Sequence, residues 1–168
     1  MNEDRKQETY IIRNIQRDEA DIYWPFRLEA LKTHPEAFGA SFELSVQIPM
    51  NEVQERIHNE HGLKLRHKGM IWGVYVAPPY RGSGLASRLL REVLDRGRHL
   101  EGIKQINLSV VTTNESARRL YERYEFEVYG IERNALEVNG QGYDEAHMNY
   151  FYTEHSTLNE DITTGGVR

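Results

Sequence analysis

Residues 74–94 constrain this chain more than any other stretch. Val74-Tyr75-Val76 is a short apolar run, Ala77-Pro78-Pro79-Tyr80 turns it, and Arg81-Gly82-Ser83-Gly84 is a glycine loop. Leu85-Ala86-Ser87-Arg88-Leu89-Leu90 then opens an amphipathic helix. A strand that enters a helix this way presents unpaired backbone N–H groups at the positive end of the helix dipole, a setting that favours an anion. Gly82 and Gly84 carry no Cβ, so the backbone can approach a bulky group closely. Arg81 can add a charge-assisted contact to a phosphate. The loop lacks the Gly-Lys-Ser/Thr ending of a nucleoside triphosphate loop, which argues against an ATPase. The expected ligand is phosphorylated and held at a strand-to-helix junction.

The remaining composition narrows the class. A chain of 168 residues suits one domain with its own core. A net charge of −5 disfavours a nucleic-acid partner. There is no cysteine, so disulfides, a thiol nucleophile and thiolate metal sites are excluded. No apolar run approaches the roughly 20 residues that span a bilayer, and Met1–Thr9 has no signal-peptide character. A cytoplasmic protein without a membrane partner is the expectation. His58 and His61 read as surface histidines and no metal is expected.

Apolar spacing gives the order of elements. Tyr10–Ile15 reads as a first strand. Asp18 can cap a helix reaching about Thr33, with Ile22, Phe26 and Ala30 on its apolar stripe and Pro25 marking a kink or a later start. A second helix covers about Asn51–Asn59 and carries Val53 and Ile57. Lys68–Val76 reads as a central strand. In the helix from Gly84 to Leu100, Leu85, Leu89 and Val93 repeat every fourth residue, flanked by Ala86, Leu90 and Leu94. Ile106, Leu108 and Val110 alternate as a strand parallel to the one before the helix. Asn114 can cap a short helix with Ala117, Leu120, Tyr121 and Tyr124 on one face. Phe126–Ile131 and Glu145–Tyr152 close the sheet, and Asn139-Gly140 signals a tight turn between them. Residues 1–9 and 153–168 read as polar flanks of a single domain, 10–152.

On these residues the chain resembles the GNAT superfamily of acyl-CoA-dependent N-acyltransferases. Arg81, Gly84 and Ala86 fall on its Arg/Gln-x-x-Gly-x-Gly/Ala signature. Val74–Tyr80 resembles the strand and turn before it, and Asn114–Glu122 resembles the family's second motif. Arg27–Leu31 with Pro35–Phe38 is similar to its first helix and exit. The resemblance covers about residues 10–58 and 67–152. It implies an α/β fold of α+β type: a mixed, mostly antiparallel sheet with a central splayed parallel pair, flanked by helices. It implies acetyl-CoA as co-substrate. Val74, Tyr75 and Val76 would pair with the pantetheine arm, and the amides of Arg81, Gly82, Ser83, Gly84, Leu85, Ala86 and Ser87 would hold the pyrophosphate. Asn114 and Ala117 would border the arm, and Tyr121 would sit by the sulfur as general acid. The acceptor would be a small-molecule or protein amine.

Three features depart from the family pattern. Between the second helix and Lys68 the family places a two-stranded hairpin, and residues 60–67 leave room for at most one short strand. The sheet is therefore expected to be shortened in its N-terminal half, with the Tyr10 strand or a second copy of the chain, as a homodimer, covering the exposed edge. Trp72 and Gly73 stand where many members carry an acid that assists the amine, which leaves His67, Glu29 and Tyr75 as substitutes. Glu125 replaces the usual glycine before Phe126, pointing to a strained or altered helix exit. Two readings follow: an N-acetyltransferase, and an acyl-CoA-binding module that has lost turnover.

Overall fold

The computed structural model describes residues 10–56 and 67–153. Their helices are α1 (Ala20–Thr33), α2 (Phe42–Ser45), α3 (Met50–Arg56), α4 (Leu85–His99) and α5 (Glu115–Arg123). Their strands are β1 (Lys68–Met70), β2 (Gln105–Val111), β3 (Glu127–Val138) and β4 (Gln141–Phe151). The strands form one mixed sheet in the order β1-β2-β4-β3. β1 and β2 run parallel and the other pairs antiparallel. A parallel pair needs a long crossover, and the glycine loop with α4 supplies it. β3 and β4 are joined through Asn139 (φ 53°) and Gly140 (φ 77°), the two positive-φ positions of a tight hairpin turn.

The core lies where α4 and α5 cover one face of the sheet. Leu90, Leu94, Leu120, Tyr121 and Tyr124 pack on Ile106, Leu108, Val110, Ala146, Met148 and Tyr150. The alternation of apolar residues along β2 and β4 sends these side chains inward. A smaller cluster of Ala30, Leu31 and Phe38 gathers Leu28, Phe42 and Tyr75 beside the cleft described below.

Several sequence expectations are corrected. Residues 10–15 form no strand: Ile11 is 84% exposed, and α4 holds this segment through its side chains. Arg88 donates to the Tyr10 carbonyl, and Arg96 donates to the Ile12 carbonyl and to Asn14 Oδ1. Those guanidinium contacts take the place of a ladder. The Lys68 strand is an edge strand among the described residues rather than a central one, and its ladder ends after the Ile71 N–H bond to the Asn107 carbonyl at 2.9 Å. Gly73 at φ 68° then turns the chain out of the sheet. The buried face of α4 is Leu90, Leu94 and Gly97, while Val93 is exposed.

α1 begins at Ala20 after a 3₁₀ turn over Arg17–Glu19, and it continues through Pro25. Ile22 is 69% and Phe26 42% exposed; the inward residues are Ala20, Arg27, Ala30 and Leu31. Arg27 explains the rotation. Its guanidinium lies 4.5 Å from the Phe38 ring and 5.7 Å from the Trp72 ring, so a cation occupies a position that apolar counting leaves to solvent. In α3, Val53 is buried as expected, whereas Ile57 and the shortened stretch before His67 lie outside the described residues.

The helix exit at Glu125 keeps the left-handed turn that a glycine would favour. Glu125 has φ 62°, its N–H bonds the Glu122 carbonyl at 3.0 Å, and the Phe126 N–H bonds the Tyr121 carbonyl at 3.1 Å. A side chain in this conformation costs roughly 1–2 kcal/mol, part of which glycine returns as chain entropy. Glu125→Gly is expected to raise the unfolding free energy by up to about 1 kcal/mol in urea titrations. A loss of stability would contradict this account of the exit.

Tyr152 gives a second check on the packing. Its hydroxyl donates to the Leu94 carbonyl at 2.7 Å, above Gly97, where a Cβ would strike it. Burial, the neighbouring Tyr150 and Asp95 push its pKa up, with Arg98 opposing, to about 12. The unfolded phenol ionises near pH 10. Stability is therefore expected to hold below about pH 10 and to fall as pH rises toward about 12. Tyr152→Phe should flatten that alkaline decline, read as melting temperature against pH.

Candidate active site

The splay between the two parallel strands is the origin of the site. Beyond Ile71 the chain leaves β2, and a cleft of about 1010 Å³ opens between residues 71–76 and the end of β2. Its walls include Trp72, Val74, Tyr75 and Val76 on one side and Ser109, Val110 and Val111 on the other. The glycine loop and the start of α4 close one end. Asn114, Ala117 and Tyr121 of α5 line it as well. Every coenzyme-contact residue expected from the sequence lines this one cleft except Ser83, whose hydroxyl donates to the Tyr80 carbonyl at 2.6 Å and shapes the loop.

The loop geometry follows from its glycines. Gly82 has φ 74° and Gly84, the N-cap of α4, has φ 81°. Neither would meet another atom through an added Cβ, so the left-handed backbone is what requires glycine here. α4 has no side-chain cap and no acid in its first turn. Among the described residues, no hydrogen-bond acceptor meets the amides of 82–87. These donors lie at the positive pole of a four-turn helix, and no group among the described residues neutralises them.

Arg81, expected to add a charge-assisted contact to a phosphate, is also engaged within the protein. Its Nε donates to the Val76 carbonyl at 3.0 Å, its Nη2 lies 2.8 Å from His34 Nε2, and its guanidinium sits 5.9 Å from the Tyr75 ring centre. The side chain pins the loop to the splayed strand. Asn114 does cap α5, accepting the Ala117 N–H at 3.2 Å and the Ser116 hydroxyl at 3.1 Å. Tyr121 is 6% exposed, packs 5.8 Å from the Phe126 ring, and burial raises its pKa. Its phenol is thus held in the protonated form at neutral pH.

The three substitutes for the missing acid separate clearly. Tyr75 lines the cleft, with its hydroxyl buried and lacking a partner among the described residues. His67 and Glu29 do not line it. Gly73 explains why no side chain stands at its own position: it has φ 68°, and a Cβ would meet the Arg27 guanidinium at 2.8 Å. Sequence reading missed the polar group on the other side of β2. Ser109 Oγ lies 2.8 Å from His147 Nδ1, and His147 Nε2 lies 3.1 Å from Glu132 Oε2. Alternation along β2 and β4 could suggest that both Ser109 and His147 face away from the core, but their pairing depends on strand register.

A splayed parallel pair with an amide-rich helix start at its mouth is the setting in which the comparisons with known proteins are read. Residues 53–126 match the Acetyltransferase (GNAT) family. The structure superposes on a GNAT-family acetyltransferase of Streptococcus pneumoniae with TM-score 0.75 at 16% identity, covering 84% of this chain and 99% of that one. It superposes on yncA of Salmonella typhimurium, solved with its cofactor acetyl-CoA, with TM-score 0.72 at 16% identity, covering 91% and 99%. The segment 53–126 thus matches this family, and the described residues share the fold of these two structures.

Relatives by sequence include the uncharacterized N-acetyltransferase YoaA of Bacillus subtilis, 30% identical over 50% of this chain and 48% of that protein. Spermidine N(1)-acetyltransferase of Escherichia coli K12 is 29% identical over 59% of this chain and 52% of that protein. The chain thus spans about half the length of these relatives in alignment. Among the described residues no helix is long and apolar enough to cross a membrane.

Proposed function

We propose that this protein transfers an acetyl group from acetyl-CoA to a primary amine of a small molecule or a protein. The observation that carries the reading is the run of amides over 82–87 that meet no acceptor and open onto a cleft leading to Tyr121. The residues fit the coenzyme. A pyrophosphate is an anion large enough to use several of those donors at once. The backbone of Val74 and Val76, released from the sheet by the splay, offers strand-like pairing to an amide-bearing arm.

The chain's own groups then divide the chemistry. A backbone N–H in the splay polarises the thioester carbonyl. The neutral amine attacks that carbon, the C–N bond forms and the C–S bond breaks. Tyr121 supplies the proton that the leaving sulfur needs, because its buried phenol stays protonated at working pH. The spermidine enzyme among the relatives acts on an amine, and an amine acceptor is carried over from it here as part of the proposal.

A second reading has one observation in its favour. Trp72 and Gly73 offer no acid beside the amine, so the protein could bind the coenzyme without turnover. An amine panel separates the two. The transferase reading expects thiol release from acetyl-CoA with at least one primary amine. A rise in melting temperature with acetyl-CoA but no thiol release with any amine would favour the binding module.

A further inference from the structure

We infer that Ser109, His147 and Glu132 form a proton relay through which the site accepts a basic amine arriving as its ammonium ion. The inference rests on the transferase reading and deepens it, by naming the acceptor class and the route for its proton.

The geometry begins with register. Ser109 and His147 are directly opposed on β2 and β4, on the sheet face away from the α4–α5 core. The β3 register slips at Tyr129, so Gly130 stands opposite His147. A glycine there leaves the imidazole room to reach Glu132 further along β3. The displaced Tyr129 ring stacks on the imidazole, with centroids 5.9 Å apart at 28°. The His147 ring is therefore fixed by a stack, a hydroxyl and a carboxylate.

The hydrogen-bond inventory then fixes direction. Ionised Glu132 can only accept, so His147 Nε2 carries the hydrogen. In the neutral imidazole Nδ1 is then the acceptor, and Ser109 Oγ–H donates to it at 2.8 Å. The hydroxyl's lone pairs remain available to the cleft, which Ser109 lines beside Val110 and Val111. Past Ile71 no strand among the described residues covers this side of β2, because the splayed segment has left the sheet.

The transfer balances. An ammonium N–H gives its proton to Ser109 Oγ while Oγ–H passes its own to His147 Nδ1. The products are a neutral amine and an imidazolium paired with Glu132. After C–N bond formation the nitrogen loses one further proton, which restores the Tyr121 phenol after that group has protonated the sulfur. Glu145 lies opposite Glu132 across the hairpin, so two carboxylates put negative charge beside a cationic acceptor. Burial pushes the Glu145 carboxyl up, His147 pulls it down, and Glu132 pushes it up. The groups that surround His147 are thus Ser109, Tyr129, Glu132 and Glu145.

The test compares two primary amines, n-butylamine, which is an ammonium ion at neutral pH, and trifluoroethylamine, which is largely neutral there. In His147→Gln, kcat/KM for n-butylamine should fall about 10²-fold at neutral pH and recover as the pH approaches the amine's own ionisation. Trifluoroethylamine should lose less than about 3-fold, because it needs no base. Ser109→Ala should follow the same pattern, with acetyl-CoA affinity and melting temperature near wild type. Equal losses for both amines, or no loss for either, would overturn the relay. If His147→Gln does not fold, Ser109→Ala alone decides by the same ratio. A wild-type protein that binds acetyl-CoA and acetylates neither amine nor any other would overturn the transferase reading, and the relay with it. A failure confined to the variants touches the relay alone.

Discussion

Tyr121→Phe should lower kcat for amine acetylation by roughly 10²–10⁴-fold while leaving acetyl-CoA affinity within about a factor of three. The reasoning is geometric. The ring of Tyr121 is buried against Phe126 and the α4–α5 core, and phenylalanine keeps that packing. Only the hydroxyl is lost, from a residue that lines the cleft. A departing thiolate gains most from a proton donor in the transition state, so the deficit should appear in kcat with little change in KM. Measurement of thiol release under saturating acetyl-CoA reads it directly. A variant with near wild-type kcat would remove Tyr121 from the chemistry and leave it a core residue.

Gly84→Val should weaken coenzyme A binding by about 10²-fold or more. Two effects act together. The residue holds φ 81°, which a β-branched side chain adopts only under strain. An added Cβ meets no protein atom, so the strain is relieved by shifting the loop backbone that carries the amide donors. Each charge-assisted hydrogen bond to the anion contributes roughly 1.5–3 kcal/mol, and loss of one or two gives the stated factor. Gly84→Ala should show a smaller loss in the same direction. Equal affinity in wild type and Gly84→Val would mean that the anion binds elsewhere.

The parts of this molecule that were legible in its sequence are those written in local spacing. The glycine loop, the Asn114 cap and the Asn139-Gly140 turn each depend on a few adjacent residues, and each folds as its residues dictate. The alternation of Ile106, Leu108 and Val110 likewise set the inner face of β2. Failures arose where a distant group decides. Residues 10–15 look like a strand, yet Arg88 and Arg96, more than seventy positions away in sequence, take up their carbonyls and polar side chains. α1 buries Ala30 as expected but leaves Ile22 and Phe26 outside, because the Phe38 and Trp72 rings receive Arg27.

The active-site cleft shows the same division. Most of the wall proposed for the coenzyme is one stretch, residues 74–87, so local spacing is enough to bring it together there. The opposite side is assembled from β2, β3 and β4 in a register that a bulge at Tyr129 shifts by one residue. No local pattern joins Ser109 to His147 and Glu132. Even the absence of an acid at Gly73 becomes intelligible only in three dimensions, where the Arg27 guanidinium fills the place of a side chain.

Isothermal titration of the folded protein with coenzyme A tests the central claim most directly, because every later step needs the diphosphate seated on the start of α4. The account predicts saturable one-to-one binding that Gly84→Val weakens about 10²-fold and His147→Gln leaves unchanged. A protein that gives no binding heat with coenzyme A and no rise in melting temperature, or that binds it equally well with valine at position 84, would contradict it.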